Sequence, residues 1–340
     1  MKTYYRAAQK QTATRVPRVA ARIDKANGAR RQTRRQAEPD VETGLPFVSV
    51  IIPVFNDADR LAKCLQALEL QSYPADCFEV IVVDNGSKET IEPLVKEFPK
   101  AVCAHEAQPG SYVARNRGLA TARGTIFAFT DSDCIPHRDW LLRGVEALQK
   151  SPAFGLAGGK IDISFADEDH PTAVEFFDLL WGFPQSVYVL RDRCSVTANL
   201  FAYRSAFEAA GPFDARLKSG GDREWCGRAV AAGFDIAYAP EAVVAHPARR
   251  TLDELGRKIR RVSGGKFDRM RYKSAPGLMV HLKEMAWELR PPYRAIGKIW
   301  NESRIRGFTS KLRVLAVVVF VRYLTAWERM RLLLGSESSR

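Results

Sequence analysis

Between Thr125 and Asp133 the chain reads Thr-Ile-Phe-Ala-Phe-Thr-Asp-Ser-Asp, and this segment narrows the possible folds more than any other. Ile126 and Ala128 fall on one side of an extended run, Phe127 and Phe129 on the other, so both faces are apolar. A strand solvated on one face alternates apolar with polar residues. One that is apolar on both faces is covered on both, as in a parallel sheet with helices above and below. The run then delivers two carboxylates, Asp131 and Asp133, at its C-terminal end. In open α/β sheets ligands bind just beyond the carboxyl ends of the strands. Two acids there can meet a divalent cation or a sugar-nucleotide.

The flanking sequence repeats the strand–helix alternation. Val48 to Val54, Phe78 to Val83 and Ala101 to His105 read as strands. Asp59 to Leu70, Lys88 to Phe98 and Ser111 to Arg123 read as helices, the first opening at an acidic cap. Such alternation predicts a mainly parallel α/β sheet with helices on both faces. Past Lys150 the pattern loosens, and Asp162 to Val196 reads as a long loop or mobile segment with short helices. Then come a strand over Ala198 to Tyr203, a helix near Ser205 to Ala210, a helix from about Asp222 to Ala232, and strands at Ile236 to Tyr238 and Val243 to His246. From Thr251 the chain is basic and helical, with breaks expected at Gly264-Gly265, Pro276-Gly277 and Pro291-Pro292. The organisation expected is a disordered basic arm (1–44), a catalytic domain (45–250) and a basic helical extension (251–340).

Charge follows the same division. The net charge is +13, yet residues 1–40 hold 11 Lys/Arg against 3 acids, 41–248 hold 19 against 28, and 249–340 hold 22 against 8. Basic ends suit nucleic acid, an anionic membrane surface or simple solvation. No nucleic-acid-binding signature accompanies them, so no specific nucleic acid is expected. The six cysteines form no C-x-x-C pair or compact framework, which fits a reducing compartment. The first forty residues contain no apolar targeting core, and the longest apolar run, Val314 to Val321, is far short of the ~20 residues of a spanning helix. The expected location is the cytoplasm, at most peripheral on the inner membrane surface.

Three turns stand where such a sheet places its ligands. Pro53-Val54-Phe55-Asn56 offers an apolar ledge with a polar edge, suited to a base. Asp84, opening Asp84-Asn85-Gly86-Ser87, can accept from a base N–H or a ribose hydroxyl. At Asp131-Ser132-Asp133 one acid can hold ribose while the other binds a metal, with Mg²⁺ or Mn²⁺ the expected class for hard oxygen ligands. Singly, Asp-Asn-Gly is an ordinary turn and D-x-D a chance pattern; three in register after successive strands are not.

Val48-Ser49-Val50-Ile51-Ile52-Pro53-Val54-Phe55-Asn56, Val82-Val83-Asp84-Asn85-Gly86-Ser87, Ala114-Arg115-Asn116-Arg117-Gly118 and Asp131-Ser132-Asp133 together resemble the family 2 glycosyltransferases. The resemblance spans about 47–248. It implies the Rossmann-like GT-A fold and inverting transfer of one sugar from a UDP-, GDP- or TDP-sugar to a hydroxyl. Carried over by position, Pro53, Val54, Asn56 and Asp84 resemble the nucleoside-pocket residues. Arg117 falls at the basic place near the donor, Asp131 at the ribose-side acid and Asp133 at the metal ligand.

The family's catalytic carboxylate, commonly written Glu-Asp at a helix start, matches Gly221-Asp222, with glycine in place of glutamate and Asp222 as the base. A His at the position of His246 completes the metal shell in this family. Asn199, Glu224, Trp225 and Arg228 are the acceptor-side or auxiliary candidates. Structural alternatives stand beside them: Asp222 as a helix cap, Glu224 and Arg228 as an i,i+4 pair, His246 as a packed strand-end residue. The aromatics Phe176, Phe177, Trp181, Phe183 and Tyr188 can form a sugar- or lipid-facing platform or pack in the core. Arg249, Arg250 and the Arg257–Arg261 cluster can meet donor diphosphate or be a solvated face. Gln-x-x-Arg-Trp, which marks processive synthases of similar core, is absent after His246. Single transfers to an acceptor, lipid-linked or part of a cell-envelope glycan, are therefore expected. Two alternatives remain open: a scaffold that binds nucleotide-sugar without transferring it, and polyanion binding by the basic ends.

Overall fold

The computed structural model describes residues 44–151, 153–274 and 277–338, apart from the side chains of 272–274. The expected arm at 1–44 therefore falls almost wholly outside the described residues. The first half alternates as the pattern demanded: β1 (Val48–Val54), α1 (Ala58–Glu69), β2 (Phe78–Asp84), α2 (Glu92–Lys96), β3 (Ala101–His105), α3 (Ser111–Thr121) and β4 (Ile126–Phe129). There follow β5 (Ile135–Pro136), α4 (Trp140–Gln149), β6 (Phe154–Ser164), α5 (Ala173–Trp181), α6 (Gln185–Asp192), β7 (Leu200–Tyr203), α7 (Arg204–Ala210), α8 (Gly221–Ala231) and β8 (Asp235–Pro247). Among the described residues four helices follow: α9 (Leu252–Ser274), α10 (Leu278–Glu288), α11 (Tyr293–Asn301) and α12 (Phe308–Leu333).

The eight strands among the described residues join one sheet in the order β3-β2-β1-β4-β7-β6-β8-β5. β1 pairs in parallel with β2 and β4, β2 with β3, and β6 with β8. β7 runs antiparallel between β4 and β6, and β5 antiparallel to β8. The sheet is thus parallel through the first four strands and mixed beyond them. The order steps outward from β1 to β3 and then returns to β4 on the other side of β1. That reversal opens a crevice at the carboxyl ends of β1 and β4.

Both faces are covered. On one, Ile51, Val83, Phe127 and Phe129 pack with Phe207, Phe213 and Trp225 from α7, α8 and the turn between them. The Phe207 ring stacks on Trp225 at 3.9 Å and 18°. On the other, Phe201 of β7 meets Trp140 of α4 with ring centroids 4.9 Å apart. Gly144 is needed there, since a Cβ would lie 2.2 Å from the Phe201 ring.

Several local expectations change. The helix foreseen over Lys88 to Phe98 shrinks to one turn in α2. Asn56 accepts from the Lys88 amide through its side chain, and the Ser87 hydroxyl accepts from the Asn56 amide, so the chain after β2 is tied to the end of β1 as a loop. The loosely read stretch after Asp162 holds the end of β6 and two ordered helices, α5 opening with a Thr172–Glu175 capping box. The two last strands are one, β8, with a register shift between the segments pairing Gly159 and Lys160. α9 runs straight through Gly264-Gly265. A Cβ on Gly265 would stand 2.7 Å from that of Ser219, so this glycine serves close packing and not a break.

The described residues from Pro46 onward form one compact unit. The terminal helices add a second apolar layer on α5: Phe176 and Leu180 pack with Ile299, Ile305, Val314 and Val318. Leu255 of α9 meets Val174 and Val317 beside it.

Candidate active site

A cleft of about 880 Å³ opens at the carboxyl ends of β1 and β4, within the size range of small-ligand sites. Pro53 and Val54 line it from the end of β1, Phe55 from just beyond, and Asp131, Ser132 and Asp133 from the turn after β4. Arg115, 4% exposed on α3, is ion-paired to the Asp131 carboxylate. Ser132 donates to Asp57 at 3.3 Å, and Asp57 also accepts from Arg60 at 2.7 Å. These contacts fix the acidic turn against the start of α1.

Asp133 and His246 approach each other at the bottom of this wall, with His246 Nε2 3.7 Å from an Asp133 carboxylate oxygen. His246 Nδ1 lies 2.8 Å from the Pro247 carbonyl. A carbonyl only accepts, so Nδ1 carries a proton and Nε2 is the nitrogen turned toward Asp133. A metal-ligating imidazole is oriented in this way, by a partner on its other nitrogen. Burial pushes the Asp133 carboxyl up from its ordinary range and nearby Asp131 adds to this, while His246 and Arg60 oppose it. An oxygen and a nitrogen donor beside a second carboxylate suit a divalent cation. Cys134 adjoins the pair, but burial holds its thiol far above its usual range, so it stays a neutral packing group.

Asp222 enters from the other side, in the first turn of α8. Its carboxylate accepts from the Arg223 amide at 2.8 Å and from the Tyr112 hydroxyl at 3.4 Å. Burial raises its pKa, partly offset by the Arg223 amide and by the Arg115 and Arg269 charges. The result is a carboxylate of increased basicity that lines the same cleft as Asp131 and Asp133.

The rest of that wall is basic. Arg249, Lys258, Arg261 and Arg269 line it. Asp178 of α5, 1% exposed, accepts from the Arg249 amide at 3.0 Å and its guanidinium at 2.8 Å, with Lys258 Nζ at 3.4 Å. Burial, reinforced by Arg249, pulls the Lys258 pKa down to about 8, against the pull of Asp178. Of the basic residues singled out in the sequence here, Arg249, Lys258 and Arg261 reach the cleft, whereas Arg257 pairs with Asp253 on the surface. The aromatic group divides: Phe177, Trp181, Phe183 and Tyr188 line the cleft, and Phe176 is core.

Several candidates sit elsewhere. Arg117 is exposed on α3 and outside the cleft; two residues apart on a helix, Arg115 and Arg117 face nearly opposite ways, and Arg115 is the one turned inward. Asn199 is fully buried and spends its amide on Trp140, Lys160 and Ala242. Trp225 is fully buried too, its indole N–H on the Gly211 carbonyl. Glu224 and Arg228 form the helical pair, and Arg228 also donates to the Pro212 carbonyl at 2.7 Å. None of these four lines the cleft. Asn56 joins the β1 and β2 loops and Asp84 accepts from the Ser87 amide at 3.0 Å; neither lines the cleft. Asn85, not singled out in the sequence, lines the cleft and holds its rim by accepting from Gly110 and donating to Glu106 and Gln108.

The family model described as glycosyl transferase family 2 matches residues 49–209. Glycosyltransferase AglE of Haloferax volcanii is 38% identical over 228 residues, 66% of this chain and 74% of that protein. A Methanococcus voltae protein named dolichyl N-acetyl-alpha-D-glucosaminyl phosphate 3-beta-D-2,3-diacetamido-2,3-dideoxy-beta-D-glucuronosyltransferase is 22% identical over 248 residues, 69% of this chain and 74% of that protein. Among solved structures, a mannosyltransferase from Pyrobaculum calidifontis in complex with GDP-Man and Mn²⁺ aligns at a TM-score of 0.48 and 18% identity, covering 89% of this chain and 80% of that one.

Proposed function

Because the chain belongs to glycosyl transferase family 2 and is a glycosyltransferase, we propose that it moves one sugar, with inversion, from a nucleotide-sugar to an acceptor hydroxyl. One observation carries this: Asp222, half-buried and made more basic, lines the same cleft as Asp131, Asp133 and His246. Inverting transfer needs a base on the face of the sugar opposite the leaving diphosphate. A wall of donor-side acids facing a wall with a basic carboxylate meets that need.

In this reading Pro53 and Val54 flank the nucleoside, and Asp131, held by Arg115, meets the ribose. Asp133 and His246 Nε2 would hold Mg²⁺ or Mn²⁺, and the chemistry supplied there when the ion is bound is charge neutralisation on the leaving diphosphate. Asp222 takes the proton of the acceptor hydroxyl as its oxygen bonds to the anomeric carbon and the carbon–diphosphate bond breaks. Arg249 and Lys258, fixed by Asp178, place positive charge where the diphosphate departs. A phosphate-bearing, lipid-linked acceptor suits the basic wall of α8 and α9, and the Methanococcus voltae relative is named for a dolichyl phosphate substrate.

The test is a screen of UDP-, GDP- and TDP-sugars with purified protein, with and without Mn²⁺, reading release of nucleoside diphosphate. One donor should be consumed in a metal-dependent way. Binding of a nucleotide-sugar with no consumption under any condition would favour a scaffold over an enzyme.

A further inference from the structure

Helix α12 is apolar on two sides, and among the described residues only one of them is covered. Val314, Val317 and Val318 turn inward onto α5, α9 and α11. Phe308, Leu312, Phe320, Tyr323 and Trp327 turn outward, recurring every three, four or eight residues, so that they form one stripe. Over its 26 residues the helix is about 39 Å long. A helix at a protein's surface ordinarily turns charge outward; here Phe308 is 67% and Trp327 60% exposed. α11 widens the patch, with Trp300 meeting Phe308 edge-on at 6.3 Å. An apolar band of this extent is beyond the scatter of single exposed side chains and marks an interaction surface.

Its surroundings say what covers it. Arg290, Arg294, Arg306 and Arg313 are exposed on or beside these helices, and residues 249–340 carry 22 Lys/Arg against 8 acids. A second copy docked by the same stripe would press two basic rims together, whereas an anionic surface complements them. Among the described residues no helix is long and apolar enough to cross a membrane; α12 itself is interrupted by Lys311, Arg313 and Arg322. Aromatic residues, short apolar side chains and arginines on one helix face are what the headgroup–acyl boundary accommodates.

We propose that the α11–α12 stripe lies in the interfacial layer of an anionic lipid bilayer. α9 connects this surface to the cleft: Leu255 packs on α12 through Val317, while Lys258, Arg261 and Arg269 line the cleft. The enzyme is thereby held one helix away from lipid headgroups. The consequence for acceptor choice rests on the transferase reading above; the docking does not.

The experiment is flotation of the full-length protein with phosphatidylcholine vesicles and with vesicles containing phosphatidylglycerol, alongside the triple substitution Phe308→Gln, Tyr323→Gln, Trp327→Gln. Glutamine leaves net charge unchanged, so any loss reports the apolar stripe and not the basic ends. Wild type should float with the anionic vesicles, and the variant should partition at least about tenfold more weakly. Donor hydrolysis in vesicle-free solution should be the same for both, which shows that the variant is folded and separates this proposal from the transferase reading. Equal flotation of variant and wild type would overturn the proposal. So would a wild type that ignores vesicles and forms a dimer the substitutions dissociate.

Discussion

The two walls of the cleft are made in different ways. The wall from β1 and β4 presents acids, Asp57, Asp131 and Asp133, from turns at strand ends. The wall from α8 and α9 presents Arg223, Lys258, Arg261 and Arg269 from helix faces, with Asp222 as its acid at a helix start. Strand-end turns gather their groups within a few residues, so the donor side is compact and suits a cation with a nucleoside. The helical wall spreads its charge along the cleft and suits an extended anion. The contrast teaches that the two carboxylates at the centre, Asp133 and Asp222, have unlike surroundings although desolvation pushes both up, and the proposed function gives them unlike tasks.

The sharpest way to break this comparison is Asp222→Asn. Turnover should fall by roughly 10²–10⁴-fold, the usual worth of a positioned base, while donor binding stays within a few-fold, as steady-state and equilibrium binding measurements would show. An equal loss of binding would put Asp222 on the donor side. Next in size is Asp178→Ala, which leaves Arg249 and Lys258 without their buried partner and should cost about 3–5 kcal/mol of stability. Thermal or urea unfolding reads this; an unchanged transition would mean that the basic wall is not held through α5.

Arg115→Ala and Arg117→Ala test which arginine of α3 serves the donor. The first should raise the donor KM by about tenfold or more, since it frees Asp131; the second should leave KM unchanged and stability within about 0.5 kcal/mol. The smallest effects concern pH. A base must be ionised, so kcat/KM should rise with pH through a midpoint above the ordinary carboxylate range, in keeping with the raised pKa of Asp222. The same shift has a stability sign. A raised carboxyl binds its proton more tightly folded than unfolded, so its ionisation opposes folding at every pH above the unfolded value. Asp222→Asn should therefore unfold at a higher temperature than wild type at pH 7, and converge on it as pH falls below both values.

The donor wall was the more legible in sequence, for a physical reason. β1, β2 and β4 are apolar on both faces and short, so periodicity locates their ends, and Asp131 and Asp133 follow at once. Asp222 is legible only through the resemblance to the family's carboxylate at a helix start, since a helix cap reads the same way in sequence. Arg115 and Arg117 lie in one turn, and only Arg115 lines the cleft: it sits three residues from buried Tyr112 and three from buried Gly118 and so shares their face. That signal was there to be read. For Asn199 and Trp225 there was none: a buried amide saturated by three backbone or ring partners looks the same in sequence as one that faces a ligand. Lys258 and Arg261 belong to a helix whose place depends on Leu255 meeting Val174 and Val317, contacts about 60–80 residues distant in sequence that no local pattern announces.

The division of labour between the two carboxylates is open to one direct measurement: Mn²⁺-dependent binding of the nucleoside diphosphate, by calorimetry, to wild type, Asp133→Ala and Asp222→Asn. The account predicts that Asp222→Asn binds as wild type does while its turnover falls by roughly 10²–10⁴-fold, and that Asp133→Ala loses the Mn²⁺-dependent part of binding. Metal-dependent binding that survives in Asp133→Ala, or an Asp222→Asn enzyme with full turnover, would contradict it.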